Sequence, residues 1–178
     1  MDYQSIIDKY YNKDMEVRRI LLTHSEQVCR KALQIVDAHP QLHADRRFVE
    51  EAAMLHDIGI IKCNAPGIYC FGEAPYICHG IIGAEMLRHE GYEAHARVCE
   101  RHTGAGIARE QIERENLPLP HCDFLPVTIE EQIICFADKF FSKTHLCEEK
   151  TLAQAAQSIE RFGKDGAERF RRWASMFC

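Results

Sequence analysis

The chain has 178 residues, of which 46% are hydrophobic and 28% charged, with a formal net charge of −5. These values predict one soluble globular domain spanning 1–178, and the negative charge argues against a nucleic acid polymer as partner. No apolar stretch approaches the roughly 20 residues of a membrane span, so we expect no membrane association. A polar, acidic start and nine cysteines without a Cys-x-x-Cys pair favour a cytoplasmic protein with reduced thiols.

Hydrophobic periodicity predicts helices along most of the chain, and no sustained alternation of apolar and polar residues favours strands. In the longest helix, His24 falls within an apolar stripe between Leu21 and Val28, so its side chain is expected to face the core. The fold class is therefore all-α, a bundle of about six to eight helices. The helices are expected at about 2–12, 14–38, 45–57, 79–90, 93–102, part of 107–127, 129–144 and, broken or as two short helices, 151–177.

The segment 63–78 differs from the rest of the chain in its composition. It holds two prolines, two glycines and three aromatic residues, which is typical of a structured loop. Segment 103–127 is also irregular outside one short polar helix. We expect these two segments to cover the functional site.

Six polar residues interrupt apolar faces or lie at helix ends near glycine. A single buried histidine usually has an ordinary hydrogen-bonding partner, but four histidines and two acids in one small helical domain are hard to satisfy that way. They instead indicate one or two octahedral metal sites with nitrogen and oxygen ligands. The absence of cysteine among the six favours Fe, Mn or another divalent metal over structural zinc. The six are His24, His56, Asp57, His79, His102 and Asp138.

The order and spacing of these residues resemble the pattern of the HD superfamily of metal-dependent phosphohydrolases, over roughly residues 15–145. The resemblance is closest to small stand-alone proteins of the HDIG type, and the two added histidines match the branch with two metals. A Gly-Tyr-Pro motif typical of the cyclic-di-GMP phosphodiesterases is absent, which argues against that substrate. The matching phrases are His56-Asp57-Ile58-Gly59, His79-x-x-x-Gly83-Ala84, Arg101-His102-Thr103-Gly104 and Ala137-Asp138-Lys139.

The resemblance implies an HD-domain helical bundle with a binuclear site. His24, His56 and Asp138 would hold one divalent metal, His79 and His102 the second, and Asp57 would bridge the two and is the candidate catalytic residue. Two divalent cations bound by two carboxylates leave a net positive local charge, which favours binding of a phosphate group. A bridging water with a lowered pKa would then attack phosphorus. Additional substrate contacts are expected from Lys62, Lys139 and Lys143.

The expected function is therefore metal-dependent hydrolysis of a small phosphorylated metabolite or nucleotide. The ligand set leaves two alternatives open: a mixed-valent di-iron oxygenase acting on a small polyol or phosphonate, and a nucleotide-binding regulatory module without turnover. The C-terminal helices, about 151–177, are expected to pack on the core or on a partner in a homodimer, through Phe170, Trp173 and Phe177.

Overall fold

The structure is a computed structural model, and it describes residues 1–13, 15–146, 148–160 and 163–178. These ranges contain nine α-helices, which confirms the all-α fold class. The expected start of the second helix at residue 14 and the cysteine at 147 lie outside the described residues. The helices are α1 (Tyr3–Tyr10), α2 (Glu16–Ala38), α3 (Arg46–Leu55), α4 (His79–His89), α5 (Glu93–Arg101), α6 (Arg109–Glu115), α7 (Ile129–Asp138), α8 (Leu152–Glu160) and α9 (Lys164–Phe177).

A small hairpin lies in the segment predicted as a structured loop. Strand β1 (Asn64–Ala65) pairs antiparallel with β2 (Cys70–Phe71), and short 3₁₀ turns surround it. Two-residue strands are too short to produce the alternation by which strands are recognised, so the sequence did not predict them. Among the described residues, no helix has the length and apolar character that crossing a bilayer requires.

Helix α7 is shorter than predicted. It begins with the capping box of Thr128 and Glu131, but it ends at Asp138 instead of 144. The amides of the next three residues, 139–141, each donate to the carbonyl three residues earlier, which is the tighter pattern of a 3₁₀ turn. Lys143 therefore lies in a turn after the helix, although the prediction of a helix over 129–144 placed it within the helix.

The C-terminal helix α9 packs on α7 of the same chain. The ring of Phe136 on α7 stacks on Phe170 at a centroid distance of 4.9 Å and meets Phe177 edge-on at 5.4 Å. Trp173 is also buried, with 1% of its surface exposed. The apolar face of α9 is thus covered within the chain, which is one of the two arrangements expected for it.

Two glycines allow the turn after α3 to lie directly against the start of α4. A Cβ atom at Gly59 would come within 2.1 Å of the carbonyl oxygen of His79 and 2.4 Å of the amide nitrogen of Gly83. No side chain fits in that space. This close approach places the residues that follow α3 next to His79.

Candidate metal centre

Five helices bring the six predicted ligands to one place. His24 lies within α2, His56 and Asp57 directly follow α3, His79 opens α4, His102 directly follows α5, and Asp138 ends α7. All six are buried, with between 0% and 8% of their surface exposed. Since buried polar groups require compensation, so many at one point indicate a shared partner.

Three of the histidines are oriented by the same local contact. The Nδ1–H group of His56 donates to the carbonyl oxygen of Ala53 at 2.6 Å, that of His79 to Tyr76 at 2.7 Å, and that of His102 to Cys99 at 2.6 Å. In each case the acceptor lies three residues earlier in the chain. With the proton on Nδ1 held by the backbone, Nε2 is the nitrogen of each ring that remains to bind a metal.

The ligand atoms form two groups with one shared member. In each group, one atom from every residue lies within 4.8 Å of those of all the others. The first group contains His24, His56, Asp57 and Asp138, and the second contains Asp57, His79 and His102. Asp57 therefore belongs to both.

The two carboxylate oxygens of Asp57 face different histidine pairs. Oδ2 lies 2.9 Å from Nε2 of His56 and 3.1 Å from Nε2 of His24. Oδ1 lies 3.4 Å from Nε2 of both His79 and His102. A carboxylate placed between two sets of nitrogen ligands in this way has the arrangement expected of a bridge between two cations.

The unsatisfied atoms at this point fit metal ions. Nε2 of His56 and Oδ1 of Asp57 are buried and make no hydrogen bond of good geometry, and the contacts of Oδ2 of Asp57 are ion pairs. Nε2 of His79 lies 3.0 Å from Nε2 of His102, although both rings carry their proton on Nδ1. Two lone pairs facing one another repel, whereas a cation bound by both would remove the repulsion. The residues present therefore suit a pair of divalent ions.

The electrostatics of the two groups differ. Burial lowers the pKa of His79 to about 3, against the opposing effect of Asp57, and burial also lowers the pKa of His102. Both rings are thus neutral, as a metal ligand must be. Burial disfavours the charged form of His56 as well, but the carboxylates of Asp57 and Asp138 raise its pKa to about 9. Metal binding to the first group would displace that proton.

Two of the three lysines proposed for substrate contacts lie at the centre. Nζ of Lys143 lies 2.5 Å from Oδ2 of Asp57. Nζ of Lys139 lies 2.6 Å from Oδ2 of Asp138 and donates to the carbonyl oxygen of His102 at 3.1 Å. Burial opposes ionisation of both carboxyl groups, yet the neighbouring cations, Lys143 at Asp57 and Lys139 at Asp138, hold their pKa values well below the usual range. The third, Lys62, is exposed and does not line the cavity at the ligands.

A cavity of about 410 Å³ opens onto the ligands. His79, His102 and Asp138 form part of its wall, together with both Lys139 and Lys143. The volume lies in the range of small-molecule sites in proteins. The cavity connects the buried ligands with a space that a substrate can enter.

The walls of the cavity correspond only partly to the segments expected to cover the site. The 63–78 loop contributes as expected, through Ala65, Gly67, Ile68 and Tyr76, and the ring of Tyr76 stacks on that of His79 at a centroid distance of 4.7 Å. Segment 103–127 contributes only its first two residues. The other residues that line the cavity were not predicted from the sequence, because their packing on the site depends on where α7 ends. The residues missed were Phe141, Ser142, Thr144, Lys150, Ser158 and Ile159.

The chain belongs to the HD domain family, whose model matches residues 21–142. The matched region contains all six candidate ligands. Membership of this family and the two buried ligand groups agree with a protein that binds divalent metal.

Several curated relatives are similar over much of the chain. A tRNA (cytidine(56)-2'-O)-methyltransferase from Picrophilus torridus is 37% identical over 156 residues, covering 82% of this chain and 41% of that protein. The enzyme of the same name from Thermoplasma volcanium is 32% identical, covering 83% of this chain and 38% of that protein. The chain thus spans about two-fifths of these relatives' length. An uncharacterized protein from Methanocaldococcus jannaschii is 37% identical over 126 residues, covering 66% of this chain and 67% of that protein.

Solved structures share the fold. The HD domain of the phosphodiesterase PgpH from L. monocytogenes, in complex with cyclic-di-AMP, superposes with a TM-score of 0.54 at 16% identity, covering 95% of this chain and 92% of that one. A second structure of that domain gives the same TM-score and covers 97% of this chain and 94% of that one. At this identity the likeness establishes the helical architecture alone.

Proposed function

We propose that this HD-domain protein is a phosphohydrolase that uses two divalent metal ions, Fe or Mn, to hydrolyse a small phosphorylated metabolite or nucleotide. The observation that carries the proposal is the position of Asp57, with one carboxylate oxygen toward His24 and His56 and the other toward His79 and His102. Asp57 would contact both metals, and Asp138 would complete the first set of ligands.

The metals, when bound, would supply an activated water and Lewis-acid stabilisation of charge on phosphate oxygens. The histidines and carboxylates of the chain would hold the ions at one end of the cavity. Two divalent ions exceed the charge of the two carboxylates, so this end of the cavity would be positive in a protein that carries a net charge of −5. That local charge supports an anionic substrate.

The cavity walls support recognition of both parts of such a substrate. Lys139 and Lys143 place ammonium groups beside the ligands, where they can pair with phosphate oxygens. Ile68, Phe141 and Ile159 supply apolar surface on the same cavity, against which an uncharged portion of the substrate can pack while water is excluded. A volume of about 410 Å³ suits a sugar phosphate or a nucleotide.

The similarity to tRNA methyltransferases does not carry methyl transfer to this chain. The matched portion amounts to 41% of the Picrophilus protein and 38% of the Thermoplasma protein. The net charge of −5 also argues against RNA as the substrate. We therefore retain a small substrate and hydrolysis at phosphorus as the proposal.

The test combines metal analysis with a search for substrate. Protein purified without chelator is analysed for metal content, then assayed for phosphate release from nucleotides, sugar phosphates and cyclic dinucleotides with Mn²⁺ or Fe²⁺ supplied anaerobically. We expect two metals per chain, activity on one substrate class, and loss of activity in His56→Ala. The proposal fails if the protein binds no divalent metal and His56→Ala matches the wild type on every phosphoester.

The same preparation distinguishes the two alternatives. Substrate-dependent uptake of dioxygen together with an iron EPR signal at half reduction would indicate a di-iron oxygenase. A tightly bound nucleotide without turnover would indicate a regulatory module. Full activity with Mn²⁺ under anaerobic conditions excludes both.

A further inference from the structure

Lys143 is held at the first ligand group by Asp57. Its Nζ atom lies 2.5 Å from Oδ2 of Asp57, the oxygen that faces His24 and His56. Only 12% of the Lys143 side chain and none of the Asp57 side chain is exposed. The ammonium group is thus a buried cation beside the position where the first metal would bind.

Lys139 provides a contrast within the same cavity. Its Nζ atom contacts Oδ2 of Asp138, while Oδ1 of that carboxylate faces His24 at 2.9 Å. Lys139 therefore pairs with the outer oxygen and leaves the inner oxygen to the ligand group. Lys143, in contrast, pairs with the oxygen of Asp57 that would hold the first metal.

The ion pair of Lys143 and Asp57 stabilises the metal-free chain. A carboxylate removed from water without a compensating cation is strongly unfavourable, and an ammonium in direct contact compensates it. Oδ2 of Asp57 cannot bind both the ammonium at 2.5 Å and a metal ion strongly, because the two cations repel each other. Binding of one therefore weakens binding of the other.

We propose that Lys143 is an internal counter-cation that competes with the first metal ion for Oδ2 of Asp57, and that metal binding moves its ammonium into the cavity toward the substrate phosphate. The inference rests on the metal sites of the proposed function. The inference also implies that metal fills the second group before the first. Among the residues the structure describes, no such competing cation contacts Oδ1, the oxygen that faces His79 and His102.

The position of Lys143 in the chain permits this movement. It lies in a turn beyond the end of α7, and its side chain lines the cavity beside Tyr76, with Nζ 6.0 Å from the centre of that ring. Departure from Asp57 therefore keeps the ammonium within the cavity and close to an aromatic face. The lysine predicted to contact substrate would reach it only after the metal has bound.

The primary test is calorimetric titration of chelator-treated protein with Mn²⁺, comparing wild type with Lys143→Met and Lys143→Gln. The control is Lys31→Met, which removes the same charge from another lysine–carboxylate pair, with Glu149 at 2.6 Å. We expect both Lys143 variants to tighten one of the two binding steps by about tenfold or more and leave the other unchanged. The control should bind Mn²⁺ as the wild type does.

A second measurement separates competition from a general structural effect. In the metal-free state, Lys143→Met should lower the melting temperature by about 5 °C or more, because it removes the ammonium group from Oδ2 of Asp57 and leaves His56 as the cation beside that oxygen. With saturating Mn²⁺ the variant should melt at or above the temperature of the wild type. A purely structural role would instead lower both values.

The results separate the inference from the function on which it rests. Mn²⁺ binding at two sites by the wild type, with equal or weaker affinity in both Lys143 variants, overturns the inference alone. Absence of Mn²⁺ and Fe²⁺ binding by the wild type overturns the proposed function and the inference together. If Lys143→Met does not fold, Lys143→Gln, which retains a hydrogen-bond donor, decides the outcome.

Discussion

Nε2 of His79 and Nε2 of His102 lie 3.0 Å apart, and each ring donates its Nδ1 hydrogen to a backbone carbonyl oxygen three residues earlier. The two lone pairs therefore point at one another in a buried place. Burial keeps both rings neutral by lowering the pKa of each, so a shared proton does not relieve the contact. A metal ion relieves it, and the stability of the protein should depend on that ion.

Removal of metal should accordingly destabilise the protein. A ligand present at about 100 times its dissociation constant stabilises the folded state by about 2.7 kcal/mol, which for a chain of this size corresponds to roughly 5–10 °C in melting temperature. We expect a chelator to lower the melting temperature by about that amount, and Mn²⁺ to restore it. In His79→Ala the chelator should produce a smaller shift. Equal melting temperatures with and without chelator would contradict a metal centre.

Asp57 should matter more for metal content than any single histidine, because its two oxygens serve both groups. We expect Asp57→Ala to lose both metals, whereas His79→Ala should lose one and keep the other. Metal per folded chain, determined by elemental analysis after gel filtration, measures the difference. If Asp57→Ala retained two metals per chain, the bridging role would be wrong.

Gly59 sets the distance between the turn that carries Asp57 and the start of α4. A Cβ atom there would lie 2.1 Å from the carbonyl oxygen of His79, so Gly59→Ala must push the two backbones apart. We expect destabilisation by about 3 kcal/mol and weaker binding of the second metal, measured by denaturant unfolding and by titration with Mn²⁺.

Gly166 is the matched control for Gly59. A Cβ atom at Gly166 would meet its nearest neighbours, in Ala105 and Ile159, at an ordinary 3.8 Å. Gly166→Ala on helix α9 should therefore be neutral or stabilising by up to about 1 kcal/mol. Equal effects of the two substitutions would show that the close approach at Gly59 does not position the site.

Trp173 should report on the attachment of the C-terminal helix. It is 1% exposed, on the face of α9 that packs against α7, so Trp173→Ala should lower the free energy of unfolding by about 3–5 kcal/mol. Met176 on the same helix is 37% exposed, and its replacement by alanine should change stability by less than about 0.5 kcal/mol. Chemical denaturation of both variants at two protein concentrations checks this, since a contact made only in a dimer would depend on concentration.

Much of the site could be predicted from the sequence. His24, His56 and Asp138 each interrupt a stripe of apolar residues, and a polar group at such a position faces the core whatever the details of packing. The helices were predicted because their periodicity and breaks are local properties of the chain.

Other features depended on contacts between distant parts of the chain. Lys62 is close to Asp57 in sequence but exposed, whereas Lys143, 86 positions beyond Asp57, touches it. The difference arises because α7 ends at Asp138, so that the turn beyond it can fold back over the ligands. The helical spacing of apolar residues continues past Asp138, so the sequence did not predict that α7 ends there.

The sequence by itself determined which side chains are turned inward, since this follows from local periodicity and from the cost of burying polar groups. Only the tertiary structure decided which oxygen of Asp57 meets which histidines, and which lysine reaches it. Those relationships depend on helix ends that approach to within a few ångströms, as the contact between Gly59 and α4 allows. Distances of that kind are set by the packing of whole helices, which no local pattern of residues records.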